Sequence, residues 1–538
     1  MSSVVSLGLD FGTESVRAIL VDRTGQQRGV ASCQYKHGQI LQSLPGGSDP
    51  LPPRFALQCP GDWIESAAQA TRQAMKAAHL SADSVVGIGV DFTSCTMLPT
   101  TIDGTPLCEV QQFRQTPLAW PKLWKHHGAI DQTERMNSIA RQRNESFLGR
   151  YGGTIGLEWF FPKMLETIEL APDVAAAAEV WLEAGDWFVW RLVACEANDL
   201  TRSSCQAGYK AMWSASEGYP SQAYFQAVHS QLAEAVDNRL PGVMRAPGES
   251  AGGLCKSMAD QFGLAVNTPV ATAIIDAHSA VPGVGAAEPG TLVMVMGTSS
   301  CHMLNATEFA DVPGVAGVVQ GGILPELFGY ETGQAAVGDA FAWLLRLLNL
   351  DSFDAVAESA LQLPPGAEGV SCLDWMNGCR TPLMDGNVRG AFTGLGLEHG
   401  PEHLYLALME ASAFGLRWIV ELLRQGGVPI NRFVATGGLP HHNRAFVEVY
   451  ADVLGETIEI HPSTQGPAVG AAVLGMLAAG SEVTGFANVK EAATAMANDA
   501  QQKSEFIAPR TERSDAYASL YQRYRSLADV VQTTQSDQ

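Results

Sequence analysis

The chain is short of basic residues. Its 538 residues include 34 Lys and Arg against 56 Asp and Glu, which gives a formal net charge of −22. No Lys/Arg-rich run offsets the repulsion between this charge and nucleic-acid phosphates, so nucleic acid is not an expected partner. The same acidity disfavours docking on an anionic membrane. It does not exclude small phosphorylated ligands, because a local site can hold them with backbone N–H groups and a metal ion.

Long apolar stretches and paired cysteines are also missing. No run reaches the roughly 18 consecutive apolar residues that a membrane-spanning helix needs. The opening string MSSVVSLGLDFG has no basic segment followed by a long apolar core, so a signal peptide is not expected. The ten cysteines are scattered without a CxxC pair. This pattern favours reduced thiols in a cytoplasmic protein.

Apolar residues are abundant, at 46% of the chain against 17% charged. At about 100–200 residues per domain, this length predicts about three domains, or two large ones. The pattern breaks near residues 265–270 at the string LAVNTP. We therefore expect a first domain of residues 1–267 and a second of residues 268–538.

Both halves contain one device, in which an apolar strand, a Gly-Thr turn and a second strand follow one another. In the first half the turn is residues 10–15 (DFGTES), and in the second it is residues 297–300 (GTSS). Three strand-like runs, a helical pattern and a fourth strand-like run open the chain. That order predicts an α/β fold with a mixed sheet backed by helices. Identity between the halves is slight, so an internal repeat is a hypothesis.

The two turns are candidate phosphate sites. Glycines such as Gly12 and Gly297 let the backbone approach a phosphate, and the hydroxyls of Thr13 and Thr298 add donors. Asp10 fits such a site if Mg²⁺ lies between its carboxylate and the phosphate. An ordinary hairpin turn also explains each motif alone. Two turns in matching contexts favour two lobes that bind one polyphosphate from opposite sides. Neither a P-loop nor a strand followed by G-x-G-x-x-G occurs, so the sequence does not indicate either of those nucleotide-binding motifs.

Two further positions have functional and structural explanations of similar weight. Asp276 follows an apolar run, where a carboxylate at a strand end can accept a proton from a sugar hydroxyl. A helix N-cap or turn aspartate is the alternative. Gly437-Gly438 with Asn443 follows another strand-like run and leaves room for a flat ring on the backbone. A simple helix-entry turn is the alternative there.

Longer strings carry a resemblance that composition cannot. They are GLDFGTESVRAILVD (8–22), GIGVDFTSCTMLP (87–99), KLWKHH (122–127), EWFFPKML (158–165), CQAGYKAMW (205–213), DAHSAVPGVGAAEPG (276–290), MGTSSCHML (296–304) and GGLPHHNRAFVEVYADVLG (437–455). In this set and order, the chain resembles the FGGY carbohydrate kinases over nearly its whole length.

The resemblance implies two actin-like (ribonuclease H-like) lobes, each a mixed sheet flanked by helices, with the active site in the interdomain cleft. It implies ATP and Mg²⁺ as cofactors, Asp276 as the catalytic base and Asp10 as a Mg²⁺ residue acting through water. The implied nucleotide-binding residues are Gly12, Thr13, Gly297, Thr298, Gly338, Gly438 and Asn443. The implied sugar-binding residues are Ser94, Cys95, Trp124, Lys210, Asp276 and Glu331.

Within that family, the strings GYKAMW, MGTSSCHM and GGLPHHN imply ATP-dependent phosphorylation of L-ribulose to L-ribulose 5-phosphate, a step of L-arabinose catabolism. Kinase activity on another ketopentose or a pentitol, such as D-ribulose, xylulose or ribitol, is the nearest alternative. A non-catalytic actin-like nucleotide switch is an alternative from a different class. The expected partners are the sugar and ATP, and a homodimer is compatible with the family.

Overall fold

The computed structural model describes residues 4–497 and 503–535. The strands of the first part are β1 (Val5–Phe11), β2 (Ser15–Asp22), β3 (Gln27–Gln34), β4 (Val85–Phe92), β5 (Met97–Thr100), β6 (Val180–Glu183), β7 (Thr201–Ser203), β8 (Val243–Arg245), β9 (Ser250–Gly253), β10 (Pro269–Ala271) and β11 (Ile274–Ile275). Its helices are α1 (Pro60–Ala78), α2 (Ile130–Gln142), α3 (Phe160–Leu170), α4 (Pro172–Ala177), α5 (Ala184–Val193), α6 (Ser204–Lys210), α7 (Gln222–Val228), α8 (Ser230–Asn238), α9 (Lys256–Phe262) and α10 (Asp276–Gly283).

The strands of the second part are β12 (Thr291–Met296), β13 (Ser300–Ala306), β14 (Gly317–Gln320), β15 (Phe328–Gln334), β16 (Ser371–Leu373), β17 (Ala391–Thr393), β18 (Arg432–Thr436), β19 (Ile458–Ile460) and β20 (Glu505–Ile507). Its helices are α11 (Gly338–Leu348), α12 (Asp354–Gln362), α13 (Pro401–Gln425), α14 (Gly438–His442), α15 (Arg444–Leu454), α16 (Gly466–Ala478), α17 (Ser481–Thr484), α18 (Val489–Ala497) and α19 (Thr511–Gln535).

The two main sheets share one arrangement. The first has the order β3-β2-β1-β4-β10-β9, with β11 also pairing with β4. The second has the order β14-β15-β13-β12-β18-β19-β20. In each sheet an antiparallel hairpin (β1 with β2, β12 with β13) is followed by a parallel neighbour of its first strand (β4, β18). The predicted α/β class with mixed sheets is confirmed, and the repeat hypothesized from the two turns is present in the topology.

This arrangement positions the functional residues because carboxyl ends of parallel strands meet at one edge of a sheet. In the first sheet, β1, β4 and β11 run parallel, with Asp10 beside Asp91 and Ile274 beside the same Asp91. The chain then enters α10 at Asp276. Residues that lie more than 260 positions apart therefore end at the same edge.

Helix α16 belongs to the second part of the chain but packs on the first sheet. A Cβ added to Gly89 would lie 1.7 Å from the carbonyl oxygen of Ala471, and one added to Gly8 would lie 2.0 Å from that of Ala468. Only glycine permits this backbone contact between helix and sheet. The Gly/Ala-rich composition of residues 466–478 is therefore a requirement of the packing between the two parts.

The division between the lobes falls later than the sequence pattern suggests. Strands β10 and β11 follow the expected boundary at residues 267 and 268, yet they pair within the first sheet. The break near residue 267 is a turn leading into a sheet strand, where Asn267 has a φ of +66°. We infer from strand pairing that the lobes divide between Gly283 and Thr291.

Within residues 4–497 and 503–535, no single helix is both long and apolar enough to cross a membrane. Only α16 taken together with Ser481–Ala497, as a pair bent by 109°, reaches that length and composition.

Candidate active site

A cavity of about 300 Å³ lies between the lobes, and both lobes contribute to its wall. Several residues singled out from the sequence line it together: Ser94, Cys95, Trp124, Lys210, Asp276, Gly297, Thr298 and Glu331. Thr93, Glu158, Trp159, His278 and Arg380 are further lining residues. The cleft thus gathers polar groups from eight separate chain segments into one space of sugar size.

Asp276 stands where β11 ends and α10 begins, and its side chain is only partly buried. Its Oδ1 accepts a hydrogen bond from the N–H of Ala277 at 2.7 Å. Loss of hydration raises the pKa of Asp276 to about 7, against the opposing effect of that N–H, and the charges of Asp10 and Glu331 raise it further. A carboxylate with a pKa near neutrality is suited to accept a proton from an alcohol.

Glu331 on β15 is the centre of a buried charge cluster. Lys210 Nζ donates to both of its carboxylate oxygens, at 2.9 and 3.0 Å, and His278 Nε2 lies 3.3 Å from its Oε2. Burial alone would raise the pKa of Glu331, but Lys210 and then His278 outweigh burial and hold this pKa far below its usual range. Burial has the opposite effect on a group that is charged when protonated, and it lowers the pKa of His278. Because Lys210 comes from α6 and Glu331 from β15, the pair joins the two lobes.

The segment between β4 and β5 brings Ser94 and Cys95 to the cavity wall. Cys95 has a φ of +56°, in the left-handed region that favours glycine. Its Sγ lies 3.2 Å from Ser94 Oγ, and burial raises the pKa of this thiol to about 12. The cysteine is therefore a neutral, positioned side chain.

Trp124 connects the cavity to the first Gly-Thr turn. Its indole Nε1 donates to Thr13 Oγ1 at 3.1 Å. Within that turn, the N–H of Gly12 donates to Ser15 O at 3.0 Å, and Tyr35 Oη donates to Gly12 O at 3.1 Å. Gly12 and Thr13 thus lie one side chain behind the cavity wall.

The second Gly-Thr turn lines the cavity directly. The N–H of Gly297 donates to Ser299 O at 2.9 Å, and the N–H of Gly338 donates to Gly297 O at 3.0 Å. The start of α11 is therefore fixed against this turn. A Cβ added to Gly338 would lie 2.7 Å from that same carbonyl oxygen, so the contact requires glycine.

Gly338, Gly438 and Asn443 do not line the cavity. Gly437, with a φ of +96°, packs against Met296 at the end of β12, so Gly438 begins α14 just behind the second turn. Asn443 caps α15: its Oδ1 accepts from the N–H of Phe446 at 3.1 Å, and its Nδ2 donates to Tyr405 Oη at 2.8 Å. Gly338 therefore adjoins the second turn, Gly438 follows a glycine packed on the strand before it, and Asn443 lies at the end of α14.

Three carboxylates converge at the edge of the first sheet: Asp10, Asp91 and Asp276. Asp10 Oδ2 accepts a hydrogen bond from Arg17 Nη1 at 3.0 Å, and burial, which outweighs that arginine, raises the pKa of Asp10. Both oxygens of Asp91 are buried without a hydrogen-bond partner. Burial, with the charges of Asp10 and Asp276, raises the pKa of Asp91 well above its usual range. Carboxyl oxygens are the ligands that Mg²⁺ prefers, and a bound divalent ion would favour the ionised forms of these groups.

Several residues of this site had no role assigned from the sequence. Asp91, Glu158 and Trp159 lie within the quoted strings GIGVDFTSCTMLP and EWFFPKML, so position within a family string was the available signal. Arg380 had no signal, since it lies in an irregular segment between β16 and β17. Its Nη1 lies 3.6 Å from Cys301 Sγ at the cavity wall.

The chain matches two models of one family. Residues 5–283 match the N-terminal domain, and residues 292–479 match the C-terminal domain, of the FGGY family of carbohydrate kinases. Similar curated proteins include the ribulokinase of Halalkalibacterium halodurans, 42% identical over 98% of this chain and 95% of that protein. The ribulokinase of Geobacillus thermodenitrificans is 41% identical over 99% of this chain and 95% of that protein.

Solved structures agree on the fold. The xylulose kinase from Rhodospirillum rubrum superposes with a TM-score of 0.80 at 22% identity, covering 99% of this chain and 100% of that chain. Plasmodium falciparum glycerol kinase with ADP gives a TM-score of 0.78 at 16% identity, covering 97% and 98%. These likenesses confirm the predicted two-lobed kinase architecture.

Proposed function

Because the chain belongs to the FGGY family of carbohydrate kinases, we propose that it transfers the terminal phosphoryl group of ATP to L-ribulose, giving L-ribulose 5-phosphate. The observation that carries this proposal is the position of Asp276: a carboxylate with a pKa near 7, at the wall of a sugar-sized cavity that the second Gly-Thr turn also lines. The relatives named ribulokinase, at 41–42% identity over nearly the whole chain, support ribulose as the acceptor.

In this proposal Asp276 accepts the proton of the attacking sugar hydroxyl. The oxygen of that hydroxyl bonds to the terminal phosphorus of ATP as the bond from this phosphorus to ADP breaks. Ser94, Cys95 and Trp124 contact the sugar from the first lobe, and the Lys210–Glu331 pair contacts its remaining hydroxyls. Glu331 remains ionised because of Lys210, so it accepts hydrogen bonds from hydroxyl groups. A fixed pair of donor and acceptor orients a polyol without a large change in hydration.

The nucleotide occupies the two Gly-Thr turns and the space behind the second one. Gly12 and Thr13 hold the phosphates from the first lobe, and Gly297 and Thr298 hold them from the second. Gly338, Gly438 and Asn443 line the adenosine pocket. Because none of these three residues lines the sugar cavity, we propose that the reacting phosphoryl group lies between the nucleoside and the sugar, at the Gly297 turn.

The acidic cluster fits Mg²⁺. Asp10 would hold the ion through water, and the buried carboxyl group of Asp91 would add a second acidic group near it. When bound, Mg²⁺ offsets the negative charge of the transferring phosphoryl group. The backbone N–H groups of the two turns would offset part of the same negative charge by donating hydrogen bonds to the phosphoryl oxygens.

A coupled assay of ADP release over a panel of sugars tests the proposal. We expect release that depends on L-ribulose and exceeds the rates with D-ribulose, xylulose and ribitol. A higher rate with one of the other sugars would reassign the substrate within the family. Slow ADP release that no sugar stimulates would replace the kinase by a nucleotide switch.

The cellular setting follows from the same proposal. L-Arabinose catabolism is the pathway in which L-ribulose arises, and the cytoplasm is the compartment that supplies ATP. The ten cysteines are all free thiols, which suits a reducing compartment. A homodimer is the expected assembly, and light scattering of the purified protein tests it.

A further inference from the structure

Lys163 is a buried cation outside the reacting groups. It lies on α3, and its side chain is fully shielded from solvent. Its Nζ donates to the main-chain carbonyl oxygens of Cys95 and Leu123, both at 2.8 Å. A charged donor in a dry environment is costly unless its hydrogen bonds are made, and burial accordingly lowers the pKa of Lys163. Space filling alone does not explain a lysine here, because an apolar side chain would fill the same volume at a lower free-energy cost.

The two acceptors of Lys163 belong to segments that carry proposed sugar contacts. Cys95 lines the cavity itself, and Leu123 immediately precedes Trp124. These segments pair through their main chains only at Met97 and Lys122, where N–H and carbonyl groups exchange hydrogen bonds at 2.9 and 3.1 Å. Beyond that point the pairing ends, and the ammonium group of Lys163 bridges the two diverging backbones.

The backbone at Cys95 needs such support. A non-glycine residue with a φ of +56° is held in a conformation that costs free energy and persists only where its surroundings enforce it. Lys163 also lies one helical turn after Trp159, to whose carbonyl its own N–H donates at 3.4 Å. Lys163 therefore connects three parts of the cavity wall. Its side chain bonds to the segment at residues 93–95 and to the residue before Trp124, and its main chain belongs to the start of α3.

We propose that Lys163 is a positioning residue for sugar binding, which sets the places of Ser94, Cys95 and Trp124 by clamping the carbonyl groups of Cys95 and Leu123. This inference depends on the proposed sugar kinase function and adds to it a residue that does not touch the sugar. A purely structural lysine would, on removal, lower stability alone. A positioning lysine would, on removal, weaken sugar binding selectively.

The test is Lys163→Met, which keeps an unbranched side chain of similar length and removes both hydrogen bonds. Displacement of binding groups by about 1 Å costs large factors, so we expect the KM for L-ribulose to rise about tenfold or more. The KM for ATP and the slow ATP hydrolysis without sugar should change much less, by about threefold at most, because Lys163 reaches the proposed nucleotide residues only indirectly, through the bond from Trp124 to Thr13.

Arg202→Met is the matched control. Arg202 is also buried, and its guanidinium donates to two main-chain carbonyls, those of Pro241 at 2.8 Å and of Trp181, but it does not line the cavity. We expect this variant to lose stability comparably while its sugar KM stays within about twofold of wild type. If Lys163→Met does not fold, Lys163→Gln, which retains a donor, is measured instead, with the same selective rise in sugar KM expected.

The outcomes separate the two proposals. If the wild-type protein releases ADP without any dependence on sugar, the proposed function is wrong. If wild type is sugar-dependent but the Lys163 variants change sugar and ATP KM equally, or neither, the positioning role is wrong. A rise in sugar KM that Arg202→Met reproduces would also overturn it, because loss of any buried cation would then suffice.

Discussion

The pH dependence of turnover examines the chemistry of the site directly. With a pKa of about 7, Asp276 is about one-tenth ionised at pH 6 and about nine-tenths ionised at pH 8. Only the ionised form can accept the proton of the sugar hydroxyl. The initial rate at low L-ribulose and saturating Mg²⁺ and ATP should therefore rise about tenfold between these pH values.

Replacement of the carboxylate gives the second half of this prediction. Asp276→Asn keeps the shape and removes the proton acceptor, so kcat should fall about 10²- to 10⁴-fold. That loss corresponds to about 3–5 kcal/mol of transition-state stabilisation. The residual activity should lose the rise between pH 6 and pH 8, because its titrating group is gone.

Stability provides the control for misfolding. The folded-state pKa of Asp276 is raised above its usual value, so stability associated with this group is greatest at low pH and falls as pH rises toward 7. Asparagine carries no such penalty, and the variant should unfold at the temperature of wild type or higher at pH 8. Binding of a fluorescent ATP analogue should be retained. Near-normal turnover by the variant, or a wild-type rate that is flat from pH 6 to 8, would refute the role of Asp276.

Three further predictions concern the packing and charge around the cleft. Glu331→Gln leaves Lys210 buried without its counter-ion, which should cost about 3–5 kcal/mol of stability in urea unfolding, whereas Lys256→Met at an exposed pair should leave the unfolding curve unchanged. Gly89→Ala should lower the free energy of unfolding by about 3 kcal/mol, since the added Cβ meets the carbonyl oxygen of Ala471 on α16. Gly386→Ala is the control, because the space around Gly386 is open. Equal melting temperatures of the two variants would contradict the packing argument. Asp91→Asn should raise the Mg²⁺ concentration for half-maximal rate about tenfold, and an unchanged Mg²⁺ titration would remove Asp91 from the ion's surroundings.

Local patterns predicted the elements on which the site is built. The mostly apolar run at residues 291–296 predicts a strand, which is β12, and the helical periodicity of residues 403–424 predicts a helix, which lies within Pro401–Gln425. The apolar run at residues 4–9 predicts a strand that ends at residue 9, but β1 extends to Phe11 because the hairpin register keeps Asp10 and Phe11 paired with β2. Apolar runs and glycines report such elements because both act over a few residues.

The cluster of Asp10, Asp91 and Asp276 could not be predicted from local sequence patterns alone. Asp91 lies within an apolar strand, and its functional setting arises only because β4 runs parallel to β1 and β11. The expected boundary near residue 267 cuts off β10 for the same reason, since pairing of β10 with β4 links Val270 to Ile88, which is 182 positions away. Arg380 is a further case, because an irregular segment has no periodicity that would mark an inward-facing cation.

The packing of α10 determines which parts of the site can move. A Cβ added to Gly470 on α16 would lie 1.7 Å from the carbonyl of Ser279 on α10, and one added to Gly283 would lie 1.9 Å from that of Gly466. Helix α16 is packed equally closely on the first sheet through Gly89. Asp276, as the first residue of α10, is therefore fixed to the first sheet by backbone contacts that tolerate no sliding. Asp276 therefore keeps a fixed place relative to the first sheet, while the Lys210–Glu331 ion pair joins that lobe to the one that carries the Gly297 turn.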